Sequence, residues 1–275
     1  MNITAADVNN LRKKTGAGMM DCKKALQEAE GDIEKAIEIL RKKGQKVADK
    51  RADREATEGC IIAKVSDDHS YAAIVYVSCE TDFVSKNEDF ISFTTKICDL
   101  AVANKCQTAD EVKALDMDGV SVADRVLEML GKIGEKIELV DFKTITAPRV
   151  FAYVHPGNRL ATIMGLNMAD VADIDTIGKE VNMQIAAMAP VAIDKDGVDE
   201  TTIAKEIEIG KEQARQEGKP EAMLEKIALG KLNKFYQENT LLNQAFVRNN
   251  KMSVGQYLQS ADKALTVTGF FRVSL

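Results

Sequence analysis

The feature that most constrains the fold of this chain is an order of segments that occurs twice. Two β-rich runs joined by a polar turn precede two helical segments and a strand, and the same order returns in the second half. The paired runs cover residues 60–65 and 71–77, and then 150–154 and 160–164. Because a short polar turn joins each pair, its two strands should be antiparallel. We therefore predict an α+β fold with a duplicated core of antiparallel sheets and helices.

The helical segments of each half are indicated by apolar residues that recur every three or four positions. In the first half this spacing predicts helices at about 88–104 and 121–131, followed by a strand at 136–142. In the second half the same spacing, at Ile177, Val181, Ile185 and Met188, predicts a helix that stops at Pro190. It is followed by a helix to about residue 264, which begins with a capping box of Ser253 and Gln256, and by a strand at 265–273.

The first 43 residues predict three short helices that precede the duplicated core. Thr4 and Asp7 are spaced to cap the first helix, and Asp32 is placed to cap the third, which should stop at Gly44. A three-helix unit of this size resembles a ubiquitin-associated-type domain. Residues 44–56 are polar and basic without a sustained apolar period, so we interpret them as a linker, either irregular or helical.

A further helical pair interrupts the second half, as an insertion at about 197–236. Two amphipathic stretches flank the sequence Gly218-Lys219-Pro220, in which Pro220 is suited to a helix start. We expect an antiparallel helical hairpin of the coiled-coil type, which offers a surface for a partner rather than a pocket. The predicted division of the chain is then 1–54, a ubiquitin-associated-like domain and linker; 55–145, the first core subdomain; and 146–275, the second core subdomain with the insertion.

Charge and cysteine content limit the classes of function. Residues 1–54 carry a net charge of +4 and the remainder −10, so a basic head precedes an acidic body. The overall charge of −6 argues against direct nucleic-acid binding by the whole molecule. No apolar run reaches the roughly 20 residues that a membrane helix needs. Five scattered cysteines without a C-x-x-C pair indicate free thiols, as in the cytoplasm.

Motifs that would indicate catalysis are missing from the sequence. The two histidines, His69 and His155, lie in separate turns, and no His/Cys pair has the spacing of zinc ligands. Gly16 and Gly18 form a G-x-G, but it follows a helix rather than a strand, so it does not predict a nucleotide site. We expect a protein that is not an enzyme and has no cofactor, metal or small-molecule substrate.

Two segments have an unusual composition. Residues 11–26 place Met19 and Met20 at the start of a helix, and residues 79–84 (Cys-Glu-Thr-Asp-Phe-Val) directly follow a strand. Burial habits alone favour the interior for both methionines and for Phe83. The alternative for the methionines is an exposed, adaptable thioether surface for a partner.

Both segments resemble signatures of the elongation factor Ts family, and this resemblance favours an exposed surface for a partner over burial. Residues 11–26 are similar to its N-terminal signature, and 81–84 to its second signature. A third run, Met183-Gln184-Ile185-Ala186-Ala187-Met188-Ala189-Pro190, is similar to a helix in the second half of that family's core. The order of domains also agrees, so the resemblance covers nearly the whole chain. The sequence ends at Leu275, before the C-terminal helical module that longer members of the family have.

The resemblance implies that the partner is the GTPase elongation factor Tu and that this chain promotes release of its GDP. It implies contacts of the first segment with the nucleotide-binding domain of the partner, and of the second segment with its switch region. The residues to which it assigns partner contacts are Leu11, Arg12, Met19, Met20, Thr81, Asp82, Phe83, Val84 and His155.

Two other functions remain open at this point. A ubiquitin-associated-like adaptor without exchange activity would use the head alone, which leaves residues 81–84 and the duplicated core unexplained. An enzyme with an unrecognised site would need perturbed acids in a pocket, which a sequence does not reveal. Release of GDP from the purified GTPase separates these possibilities.

Overall fold

The computed structural model describes residues 3–275. Its helices are α1 (Ala5–Thr15), α2 (Met19–Glu28), α3 (Ile33–Arg51), α4 (Asp82–Ser85), α5 (Glu88–Ala103), α6 (Ala109–Ala114), α7 (Val122–Ile133), α8 (Ile174–Met188), α9 (Glu200–Gln216), α10 (Glu221–Asn239) and α11 (Val254–Ala261). Its strands are β1 (Glu58–Val65), β2 (Tyr71–Cys79), β3 (Glu138–Thr146), β4 (Arg149–Val154), β5 (Leu160–Leu166), β6 (Ala245–Phe246), β7 (Asn249–Ser253) and β8 (Val267–Ser274).

Two three-stranded antiparallel sheets form the centre of the molecule. Their strand orders are β1-β2-β3 and β4-β5-β8, so in each sheet the later strand pairs with the second strand of the hairpin. One face of each sheet packs on the other sheet, through residues such as Ile61, Ile74, Val150 and Ile163. The prediction of an α+β fold with antiparallel sheets is confirmed.

Helices cover the outer face of each sheet. Helix α5 packs on β1 and β2 through Phe90 and Ile97, and α8 packs on β4 and β5 through Val181 and Ile185. Strand β2 is therefore covered on both faces, which explains why its sequence is almost continuously apolar instead of alternating.

Helices α1 to α3 form a head with an apolar core of its own. Its fully buried side chains include Leu11, Cys22, Leu26 and Ala36. The predicted cap of α1 is present as a reciprocal capping box, because Asp7 N–H donates to Thr4 Oγ1 at 3.2 Å and Thr4 N–H donates to Asp7 Oδ2 at 2.9 Å. The cap and the core together fix the head as a packed unit.

The predicted end of the third helix at Gly44 was wrong, since α3 continues to Arg51. The reason is a close contact with α7. A methyl group on Gly44 would lie 3.0 Å from Leu127 O, and one on Gly131 would lie 3.3 Å from the Gly44 Cα. Because glycine has no side chain, Gly44 lets the two helices pack closely. The energy of this tertiary contact outweighs the low helix propensity of glycine. Met188, the last residue of α8, is 45% exposed, so the apolar spacing continues past the buried part of this helix.

We expect Gly44→Val to separate the head from α7, since the new side chain would overlap the Leu127 backbone, and to cost about 1–3 kcal/mol at this contact. Limited proteolysis and hydrogen exchange of α3 should show a loosened helix. The matched control is Gly230→Val in α10, where a Cβ meets nothing within 4 Å. Unchanged protection of α3 in Gly44→Val would contradict the importance of this contact.

Helices α9 and α10 pack on each other and hardly on the rest of the protein. Gly210 allows the backbone of Ala228 to approach, with a built Cβ at 3.1 Å from the Ala228 Cα, and Lys211 pairs with Glu225 at 2.6 Å. At the base of the pair, Val191 N–H donates to Asn239 O at 2.8 Å, which joins the segment before the insertion to the end of α10.

A short glycine-serine link in place of residues 197–236 should therefore leave the two-sheet core folded, because α9 and α10 pack mainly on each other and a short loop closes at low entropic cost. The main melting transition is expected to move by only a few degrees. Loss of that cooperative transition on a melting curve would show that the helical pair stabilises the core.

Candidate protein-interaction surfaces

The largest exposed apolar side chain in either signature segment is Phe83, which is 84% exposed. Met19 and Met20 follow at 56% and 62%. Single exposed apolar residues are ordinary, but aromatic and methionine side chains with more than half of their surface exposed are typical of surfaces that bind another protein. The geometry of each segment shows how these side chains are kept at the surface.

Phe83 lies in the short helix α4, which directly follows β2. Its neighbour Val84 packs against the apolar core of the first half, and Ser85 is buried. Asp82 and Lys86 form an exposed ion pair at 2.7 Å, and the hydrogen bond from Lys86 lowers the pKa of the Asp82 carboxyl below its usual value. Val84 thus anchors the helix while Phe83, one position earlier, points to solvent.

Residues before α4 are bound by two other parts of the chain. Thr81 donates from its N–H to Glu135 Oε2 at 3.1 Å and from its hydroxyl to Glu135 Oε1 at 2.8 Å. Both carboxylate oxygens of Glu80 accept hydrogen bonds from Arg51 Nη1, at 2.7 and 2.8 Å. One of them also accepts a hydrogen bond from the backbone N–H of Lys136, at 2.6 Å. Burial opposes the charge of Glu80, but these hydrogen bonds hold the pKa of its carboxyl below the usual value.

The methionine pair lies at the first two positions of α2, after a tight turn. Gly16 adopts a left-handed conformation with φ of 68°, which ends α1, and Gly18 precedes α2. Under this turn, Thr15 is buried and donates its hydroxyl to Leu11 O at 2.9 Å. Both methionine side chains are left exposed on the side of the head opposite its core.

The predicted contact residues fall into three places in the structure. Leu11 was predicted to contact the partner, but its side chain is completely buried in the head, where it supports the turn from below. Arg12 is exposed, and Thr81 and Asp82 are half-buried. His155 is exposed in the β4–β5 turn, away from both segments in sequence, where its Nδ1 lies 2.8 Å from the Tyr153 hydroxyl.

Sequence reasoning missed the polar residues that bind Glu80 and Thr81, just before Phe83. Arg51 was interpreted as part of a linker, and Glu135 lies 54 positions from Thr81, so no local spacing indicates their contacts. The only signal in the sequence is that Glu135 precedes, and Lys136 begins, the strand predicted after the helix at about 121–131. Polar residues in such a loop are common, and they gave no reason to single these two out.

In residues 3–275, no set of three His, Cys, Asp or Glu side chains is arranged to hold a metal ion. All five cysteines are buried; burial raises the pKa of the Cys60 thiol to about 11 and that of Cys79 and Cys98 to about 12. Thiols of this kind are poor nucleophiles at neutral pH. No helix in the same part of the chain is long and apolar enough to cross a bilayer.

Comparison with known proteins places the chain among the translation elongation factors. The family model described as Elongation factor TS matches residues 80–275, a range that begins at Glu80 beside the Phe83 segment. Proteins named Elongation factor Ts are 52% identical in Christiangramia forsetii, over 99% of this chain and 98% of the relative, and 52% identical in Amoebophilus asiaticus, over 99% of both. That of Cytophaga hutchinsonii is 51% identical, again over 99% of both. The chain belongs to the elongation factor Ts family.

The exposure of Phe83 predicts an unusual response to truncation. Phe83→Ala should change the free energy of unfolding by less than about 0.5 kcal/mol, as surface substitutions do. The matched control is Phe90→Ala, which removes a fully buried ring from α5 and should cost about 3–5 kcal/mol. Urea unfolding of both variants measures the difference, and similar losses would assign Phe83 to the core.

Proposed function

We propose that this chain is a guanine nucleotide exchange factor that binds elongation factor Tu in its GDP-bound form and promotes GDP release. The observation that carries the proposal is the 84% exposure of Phe83 on a helix that is otherwise anchored to the core. Burying such a ring in a partner gives roughly 1.5–3 kcal/mol, which is available only in the complex. Membership of the elongation factor Ts family supports the choice of partner.

The mechanism follows from thermodynamic linkage and needs no covalent step. If binding of this chain weakens GDP binding to the GTPase, GDP must weaken binding of this chain by the same factor. Phe83 and Asp82 would act beside the switch region of the partner, while Arg12, Met19 and Met20 hold its nucleotide-binding domain. The factor then stabilises the nucleotide-free GTPase and is released unchanged when a nucleotide returns, so it is a binding protein rather than an enzyme.

The remaining surfaces have roles in the same proposal. His155 would contact the partner from the second half, and the α9–α10 pair would act as a projecting coiled-coil arm. The division at residues 54 and 145 is supported by separate apolar clusters in the head and in each half. The head would be of the ubiquitin-associated type. A cytoplasmic location agrees with five cysteines that form no disulfide.

The test is release of a fluorescent GDP analogue from purified elongation factor Tu. The intact chain should accelerate release, and Phe83→Ala should slow the accelerated rate about ten- to a hundred-fold because the ring's burial is lost. The matched control is Phe271→Ala, the same truncation at a partly exposed ring on β8, outside both signature segments. It should leave the maximal rate close to that of the intact chain.

A second variant separates the role of the head. Met19→Ala combined with Met20→Ala should raise the concentration of factor needed for half-maximal release, since these side chains contribute to binding. A complex that forms but does not accelerate GDP release would instead favour an adaptor without exchange activity. Absence of any complex would overturn the choice of partner.

A further inference from the structure

Helix α4 has only four residues, so it is too short to keep its conformation without tertiary support. Its first backbone hydrogen bonds, from Ser85 to Thr81 O and from Lys86 to Asp82 O, measure 3.2 and 3.1 Å. Thr81 stands at the N-cap position, but its hydroxyl makes no capping bond to the helix. The group that would stabilise the helix start locally is therefore used elsewhere.

Glu135 takes up both hydrogen-bond donors of Thr81. Its two carboxylate oxygens accept the Thr81 N–H and hydroxyl from the loop between α7 and β3. A carboxylate that accepts two bonds from one residue fixes both the position and the rotation of that residue, and bonds to a charged acceptor are the stronger kind. The start of α4 is thus set by a side chain that belongs to another part of the fold.

The second half of the core shows which part of this arrangement the fold itself requires. Asn167 directly follows β5 as Glu80 directly follows β2. Its Oδ1 accepts the N–H of Thr266, just before β8, at 2.8 Å, as Glu80 accepts the N–H of Lys136 just before β3. Both halves therefore connect the end of the central strand to the start of the third strand. Only in the first half, which carries Phe83, does a second acidic side chain, Glu135, accept hydrogen bonds from the residue after that, Thr81.

We infer that Glu135 is a positioning residue for Phe83: it holds Thr81 so that the ring is presented to the partner in the orientation that the complex uses. This inference rests on the proposed exchange function. A side chain that is already ordered loses less conformational freedom on binding than one that must be immobilised in the complex. Glu135 therefore affects exchange only through Phe83 and does not touch the partner.

The experiment is a double-mutant cycle with the rate of GDP release at sub-saturating factor as the readout, because ordering of the ring acts on association. Glu135→Ala alone should slow release about three- to ten-fold. In a Phe83→Ala background the same change should have no further effect, because the ring that Glu135 positions is gone. Glu135→Gln should recover most of the rate, since its amide oxygen can accept one bond from Thr81. Glu138→Ala, a nearby exposed acid on β3, is the matched control and should release GDP normally.

A second measurement needs no partner. Hydrogen exchange of the amides of residues 81–86 should be faster in free Glu135→Ala than in the intact chain, with the protection of β1 and β2 unchanged. If Glu135→Ala lowers the melting temperature, Thr81→Val replaces it in the cycle, because it removes only the hydroxyl donor.

The outcomes distinguish this inference from the function on which it rests. Additive losses from Glu135→Ala and Phe83→Ala would overturn the positioning role while leaving the exchange function in place. Unchanged exchange of the amides of 81–86 would overturn it as well. A Phe83→Ala variant that releases GDP at the normal rate would remove the proposed role of the ring, and the positioning role with it.

Discussion

The contact between α3 and α7 determines how the two exposed surfaces of this protein are held. Gly44 and Gly131 let the helices approach to a distance at which a single methyl group would meet the opposite backbone. Polar contacts flank this point, since Arg125 Nη1 donates to Lys14 O at 3.0 Å and Arg41 lies 3.7 Å from a carboxylate oxygen of Glu128. Close backbone packing therefore fixes the head to the core, and a hydrogen bond and an ion pair beside it set the orientation of the head.

Helix α7 supports the second surface as well. The loop that follows it contributes Glu135 and Lys136, which bind Thr81 and Glu80, and Arg51 at the end of α3 binds Glu80 from the other side. Motion of α3 against α7 would displace the methionine pair and strain the residues before Phe83 together. A binding protein with two contact surfaces gains affinity when their separation is already correct, because less freedom is lost on association. The shared support of both surfaces provides that condition.

Sequence patterns predicted the elements whose neighbours in space are also neighbours in sequence. The capping boxes at Thr4 and Ser253, and the two β-hairpins, depend on residues a few positions apart. Gly44 was misread because its partner lies more than eighty positions away, and a helix breaker looks the same in sequence as a helix contact. The short elements α4, α6, β6 and β7 were missed for the related reason that none is long enough to show a period.

The exposure of Phe83 could not be derived from its own segment, but the two sheets of matching strand order show why the exposure is informative. In the second half, the residues that follow the central strand include Met168 and Val171, and both pack against the apolar core. In the corresponding segment of the first half, Val84 packs inward and Phe83 does not. A segment in this place can bury its apolar side chains, so the fold does not force the ring into water. The exposed ring is a departure from the protein's own internal pattern, and it coincides with the one place where Glu135 adds support that the other half lacks.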